Sequence, residues 1–212
     1  MNRADSAINH ERAEADPRAA FFDERADTWE DRCYPAETKQ RLALLVPLLQ
    51  VLAGTAVLDL GTGTGILTPY LRELLGPDGT LISLDISFAM LRRAKAKQAC
   101  ARGCVAQATA MRLPIQDRTV DTAICFAAFP HFSDKPGALA EMNRVLKVGG
   151  SLSIAHLLSR EELSRHHGGH SAVAQDKLPD DAAMQRLIQA AGFAALRITD
   201  IPGRYIATAV KE

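Results

Sequence analysis

Charge of one sign, disulfide chemistry and long apolar runs are all scarce in this chain. Its 212 residues carry 25 basic and 25 acidic side chains, so the formal net charge is zero. No basic run is long enough to neutralise a phosphate backbone, which disfavours a nucleic-acid partner. The cysteines Cys33, Cys100, Cys104 and Cys125 form no disulfide framework, and a reducing cytoplasm is the natural setting. The longest apolar stretch, Leu42 to Ala53, is interrupted by Pro47 and Gln50 and is too short to span a bilayer. The N-terminus has no apolar core of the kind a secretory signal needs. Aromatic residues amount to 5%, with one Trp and three Tyr, so Trp29 and Tyr34 are the aromatic candidates for shielding a ligand. What is present is an apolar fraction of 47% over a length that suits one domain with a sizeable core.

The most informative stretch is VLDLGTGTGILT, Val57 to Thr68. Val57, Leu58 and Leu60 read as a buried strand. Gly61, Gly63 and Gly65 follow as a turn, and Ile66, Leu67, Tyr70, Leu71, Leu74 and Leu75 then recur at helical spacing. Such a turn lets a ligand approach the main chain without meeting a Cβ, and the amides opening the next helix face it. A dinucleotide loop wants its third glycine three positions after the second, and Ile66 stands there instead. Asp59 also lies on the strand, where a carboxylate would repel a pyrophosphate but attract a cofactor bearing positive charge. A second apolar strand, Thr80 to Ser87, carries Asp85 at its end, 20 residues after Gly65. A strand-end acid at that distance suits ribose hydroxyls, because a carboxylate accepts two donors at once. Helix capping is the competing reading for Asp85, although Ser87 fits that task better.

Strands and helices alternate along the rest of the chain. Helices are expected over Pro17 to Trp29, Glu37 to Leu52, Ile66 to Leu75, Phe88 to Ala101, Pro136 to Leu146 and Asp180 to Ala191. Strands are expected over Ala56 to Leu60, Thr80 to Asp85, Cys104 to Ala108, Val120 to Phe126 and Ser151 to His156. The hairpin Ala194 to Thr199 and Tyr205 to Val210 closes the chain. Alternation of this kind implies a parallel sheet with right-handed crossovers.

The acid-x-Gly-x-Gly-x-Gly loop resembles the first motif of class I S-adenosylmethionine-dependent methyltransferases. ATAMRLPI, Ala108 to Ile115, and RVLKVGGSL, Arg144 to Leu152, are similar to later segments of that superfamily. FFDERADTWED, Phe21 to Asp31, is like the N-terminal lid of its ubiquinone- and menaquinone-biosynthesis branch. The resemblance implies an α/β, Rossmann-like fold: a seven-stranded, mostly parallel sheet with an antiparallel C-terminal strand and helices on both faces. It divides the chain into an N-terminal segment with its lid helix, 1–36, and an S-adenosylmethionine-binding domain, 37–212. The cofactor contacts it implies are Asp59, Gly61, Thr62, Gly63, Gly65, Asp85, Ile86, Thr109, Ala110, Met111 and Phe126. Thr109 stands where the family usually has an aspartate for the adenine amino group.

The implied reaction is methyl transfer to a small-molecule acceptor at the carboxyl ends of strands four and five, under the lid. Five of the six histidines fall in the loops after those strands. His131 and His156 are the catalytic candidates, and His166 and His167 join Trp29 and Tyr34 on the substrate side. The bland readings are a loop cap for His131, a carbonyl partner for His156 and a solvated turn for the HHGGH run. The histidine spacing matches no standard zinc pattern, so no metal is expected. No membrane partner is expected, and the chain should act as a monomer or homodimer. Two other functions stay open at this point: a catalytically silent cofactor-binding protein acting through a partner, and a nicotinamide-dependent oxidoreductase.

Overall fold

The computed structural model describes residues 17–97, 103–168 and 176–212. Seven strands form one sheet: β1 Ala56–Leu60, β2 Thr80–Asp85, β3 Gly103–Gln107, β4 Val120–Phe126, β5 Leu146–His156, β6 Phe193–Ile201 and β7 Arg204–Lys211. Their order is β3-β2-β1-β4-β5-β7-β6, and β7 runs antiparallel to both of its neighbours. The remaining pairings are parallel, in register from Ala56 opposite Thr80 to Leu60 opposite Leu84 in the central pair. This is the topology that the sequence resemblance implies.

The helices are α1 Pro17–Asp23, α2 Trp29–Cys33, α3 Ala36–Leu45, α4 Thr68–Leu75, α5 Phe88–Lys97, α6 Lys135–Val145, α7 Arg160–Gly168 and α8 Asp181–Ala190. Both faces of the central strands are buried, which explains their unbroken apolar runs. Leu58, Leu60, Ala123 and Cys125 point into one core, with Leu139 and Met142 of α6 and Met184 and Ile188 of α8. Val57, Ile124 and Phe126 alternate into the other core, against Leu42, Leu45 and Leu49 and against Leu71 and Leu75 of α4. Local chemistry marks the helix starts. Asp134 accepts from the Gly137 amide at 2.9 Å and Asp180 from the Ala183 amide at 2.7 Å, so each caps its helix.

Three boundaries differ most from the sequence reading. The first helix is not continuous to Trp29. It ends at Asp23, a 3-10 turn covers Ala26–Thr28, and α2 begins at Trp29. The Asp23 carboxylate is drawn instead to the start of α5, where it accepts from Ser87 Oγ and from the Ala89 amide. The next helix stops at Leu45 rather than Leu52. Pro47 has no amide to continue the ladder, so Val46–Leu49 tightens to 3-10 and Gln50 turns left-handed at φ 58°. The strand expected from Ser151 begins instead at Leu146, directly after α6. The β4–β5 register shifts between Val120 and Thr122, and Gly149, at φ 78°, lies in the irregular stretch opposite. Finally, α5 is described to Lys97, and the expected extension to Ala101 lies outside the described residues.

The strand order reverses between β2-β1 and β4. A ligand crevice is expected at such a switch point, outside the carboxyl ends of β1 and β4.

Candidate active site

A cleft enclosing roughly 900 Å³ of space, part of it open to solvent, occupies that crevice. Its floor is the turn after β1. Gly61, Gly63 and Gly65 all take left-handed φ, at 75°, 55° and 76°. At Gly61 a Cβ would overlap the Ala128 methyl. Ala128 follows Ala127, itself left-handed at φ 55°, which costs a non-glycine residue about 1 kcal/mol or more. Gly65 serves a different end. It is outside the cavity lining, and a Cβ there would come within 3.1 Å of Ala94 on α5.

Two carboxylates line the floor. Asp59 is 1% exposed, and its Oδ2 accepts from the Thr62 hydroxyl at 2.6 Å. Burial pushes its pKa up to about 6, the Thr62 bond opposes this, and the nearby Asp85 charge adds to it. Asp85 accepts from the Gly63 amide at 2.8 Å through Oδ2 and from the Ser87 amide at 2.8 Å through Oδ1. Burial raises its pKa too, against the lowering effect of those amides and the Ile86 amide. The capping role goes to Ser87, whose hydroxyl accepts from the Met90 amide at 3.1 Å.

Sulfonium cofactor chemistry fits these residues. Asp59 is a buried carboxylate held above its ordinary range, with no basic side chain among the causes, and a cationic ligand would return it to its charged form. Open space lies where a Gly63 Cβ would be. Ile86, Thr109, Ala110, Met111 and Phe126 line the adjoining wall, which is mostly apolar. Thr109 accepts from the Met111 amide at 3.4 Å.

The opposite side of the cavity is built by α1, α2 and the loop after β4. Trp29 and Tyr34 both line it. Phe22 stands edge-on to Trp29 at 5.5 Å and edge-on to His131 at 5.4 Å, ring centre to ring centre. His131 lines the cavity, and its Nδ1 lies 2.8 Å from Asp176 Oδ2. The other oxygen of Asp176 accepts from Arg18 Nη2 at 3.0 Å. Burial raises the Asp176 pKa, but the His131 and Arg18 bonds outweigh it and hold the carboxyl below its usual value.

His156 is not in this cavity. It ends β5, 3% exposed, opposite Tyr205 of β7. His166 is on the exposed part of α7, and His167 lies on the same helix with its side chain outside the description. His170 lies outside the described residues. Among the described residues no three His, Cys, Asp or Glu side chains come together as a metal site. No described helix is long and apolar enough to cross a membrane.

Sequence reasoning missed Arg18, Phe22 and Asp176. Arg18 and Asp176 are 158 residues apart, and neither belongs to a motif. The one available signal was the lid-like Phe21 to Asp31 segment, which contains Phe22.

The segment 17–33 is fastened at both ends. Arg18 holds Asp176, and at the other end Asp27 pairs with Arg93 at 2.9 Å and Glu30 with Lys97 on α5.

The chain is similar to known methyltransferases in sequence and in fold. Residues 58–154 match the methyltransferase domain family, and residues 11–103 match the protein-L-isoaspartate(D-aspartate) O-methyltransferase family. The chain is 30% identical over 190 residues to a ubiquinone/menaquinone biosynthesis C-methyltransferase UbiE of Xylella fastidiosa strain 9a5c, covering 76% of this chain and 75% of that one. It is 31% identical over 189 residues to the Teredinibacter turnerae protein of the same name, covering 76% of each. Among solved structures it is similar to a SAM-dependent methyltransferase from Aquifex aeolicus, with a TM-score of 0.70 and 20% identity, covering 88% of this chain and 96% of that one.

Proposed function

Because this chain belongs to the class I S-adenosylmethionine-dependent methyltransferases, as a homologue of UbiE-type small-molecule C-methyltransferases, we propose that its acceptor enters the His131 side of the cavity, with residues 17–33 as the lid. This family membership removes the nicotinamide-dependent alternative. The observation that carries the proposal is the continuity of the cavity. Asp59, Asp85 and the glycine turn open into the same space as Phe22, Trp29 and His131.

Bound S-adenosylmethionine supplies an electrophilic methyl group on a positively charged sulfur. The chain's own residues bind, orient and exclude water. Asp85 accepts from ribose hydroxyls with the lone pairs that the Gly63 and Ser87 amides leave over. Asp59 offers negative charge beside the Gly61–Gly63 backbone. Thr109, Ala110 and Met111 would hold the adenine, with the Thr109 hydroxyl and the Ala110 amide taking the part of the usual carboxylate. Phe22, Trp29 and Tyr34 would shield the methyl from water, and alignment would supply a large part of the acceleration. Acceptor contact falls to His131 rather than His156, since only His131 lines the cavity.

The acceptor suited to this lining is a planar aromatic ring bearing an ionisable hydroxyl. The relatives' names point the same way, since quinone biosynthesis handles such rings. The test uses calorimetry with S-adenosylhomocysteine, followed by mass-spectrometric detection of methyl transfer to 1,4-dihydroxynaphthalene. One bound equivalent and a product heavier by one methylene unit are expected. Absence of binding defeats the cofactor assignments. Binding with no transfer to any planar diol favours the silent cofactor-binding protein instead.

A further inference from the structure

Asp176 has no part in the family resemblance, yet it is in direct polar contact with the catalytic candidate. It is 4% exposed, and each of its oxygens is committed: Oδ2 to His131 Nδ1 at 2.8 Å, and Oδ1 to Arg18 Nη2 at 3.0 Å. A carboxylate accepts and does not donate, so the nitrogen that faces it carries the proton. The His131 ring is also held from its side by the Phe22 edge, 5.4 Å between ring centres. A histidine fixed in one tautomer by a carboxylate presents its other nitrogen as a base, and the carboxylate compensates the charge that appears when the proton arrives.

We propose that Asp176 is the positioning residue of this site: it fixes His131 as the Nδ1–H tautomer, so that Nε2 accepts the proton the acceptor must lose. The inference rests on the reading above that the acceptor meets His131. In the step it serves, the acceptor's hydroxyl O–H bond breaks and the proton goes to Nε2. The electron pair released, at oxygen or at the ring carbon conjugated with it, forms the bond to the methyl carbon, and the methyl–sulfur pair stays on sulfur. After attack through carbon, the ring hydrogen returns to the oxygen. The imidazolium then gives its proton to water, so one proton leaves for each methyl gained. Arg18 belongs to the same device. It occupies the second oxygen of Asp176 and comes from the lid, so the carboxylate is oriented from both sides.

The test has two readouts. Long-range nitrogen–proton NMR of the ring, on protein loaded with S-adenosylhomocysteine and assigned with His131→Asn, reads the tautomer without any turnover. The wild type should carry the proton on Nδ1, and Asp176→Ala should shift the ring to Nε2–H or to a mixture. Turnover of 1,4-dihydroxynaphthalene should fall about 10- to 100-fold in Asp176→Ala, with KM and S-adenosylhomocysteine affinity unchanged, and Asp176→Glu should restore most of it. Asp176→Asn, of the same size, serves if the alanine variant does not fold, and retained S-adenosylhomocysteine affinity certifies either one. A wild-type ring protonated on Nε2, or a tautomer indifferent to Asp176, overturns the proposal. So does undiminished turnover once the tautomer has moved. A wild type that binds S-adenosylhomocysteine but does not methylate the diol overturns the proton-losing acceptor stated here. Failure to bind S-adenosylhomocysteine overturns the cofactor reading instead.

Discussion

The two halves of the cavity are made in different ways. The floor comes from contiguous sequence: β1, its glycine turn and the end of β2 supply Asp59, Gly61, Gly63 and Asp85 within 27 residues, and half of its chemistry is backbone. The opposite side is assembled from side chains that meet only in the fold, with His131 and Asp176 lying 45 positions apart and Arg18 and Asp176 158 apart. A backbone cradle tolerates little change, because left-handed φ and close approach restrict the residue type. Long-range side-chain clusters can be exchanged piecemeal, which lets one floor serve many acceptors.

If that division is right, damage to one half should leave the other working. The largest effect expected is His131→Asn, which should lower turnover about 100- to 10,000-fold while calorimetry with S-adenosylhomocysteine stays unchanged. A parallel loss of binding would mean that the halves are not separate. Asp85→Ala should do the reverse, weakening binding by about 1–3 kcal/mol with turnover at saturating cofactor largely kept.

Asp59 offers a subtler separation through pH. Its folded pKa is raised from 3.8 to about 6, so the apo protein binds a proton there that the unfolded chain has already lost. That contribution to stability is present below the ordinary carboxylate pKa and disappears as pH rises through about 6. Cofactor affinity should run the opposite way, increasing through the same window by up to about tenfold per pH unit below it. Calorimetry at pH 5, 6 and 7 measures one trend, and apo melting temperatures measure the other. Asp59→Asn should flatten both. The smallest effect belongs to the segment 17–33, proposed above as a lid: Asp27→Asn removes a largely exposed ion pair with Arg93, worth about 0–1 kcal/mol. It should change the salt dependence of cofactor release, followed by stopped flow, more than the affinity.

The same contrast explains what could be read from the sequence. Sheet order and the glycine turn were legible because periodicity and glycine spacing are local signals, and β1, β2 and β4 fall where the apolar runs place them. The break after Asp23 was not legible, because a distant helix start claims that carboxylate. The end of α3 was misjudged although Pro47 was in plain view; the apolar run beyond it is buried by a 3-10 turn as well as by a helix. His156 was chosen for its strand-end position, but alternation along β5 and its pairing with Tyr205 keep it out of the cavity. Asp176 sits in AQDKLPD, a stretch with no periodicity, and only the folded chain brings it to His131.

One serine joins the two halves. The Ser87 amide is anchored to Asp85 at the bottom of the crevice, and its hydroxyl is anchored to Asp23 at the top. Two carboxyl groups from opposite walls therefore share one small residue. A displacement of Ser87 would move its bonds to Asp23 on α1 and to Asp85 at the end of β2 together, so the segment 17–33 and the cavity floor are tied through one side chain.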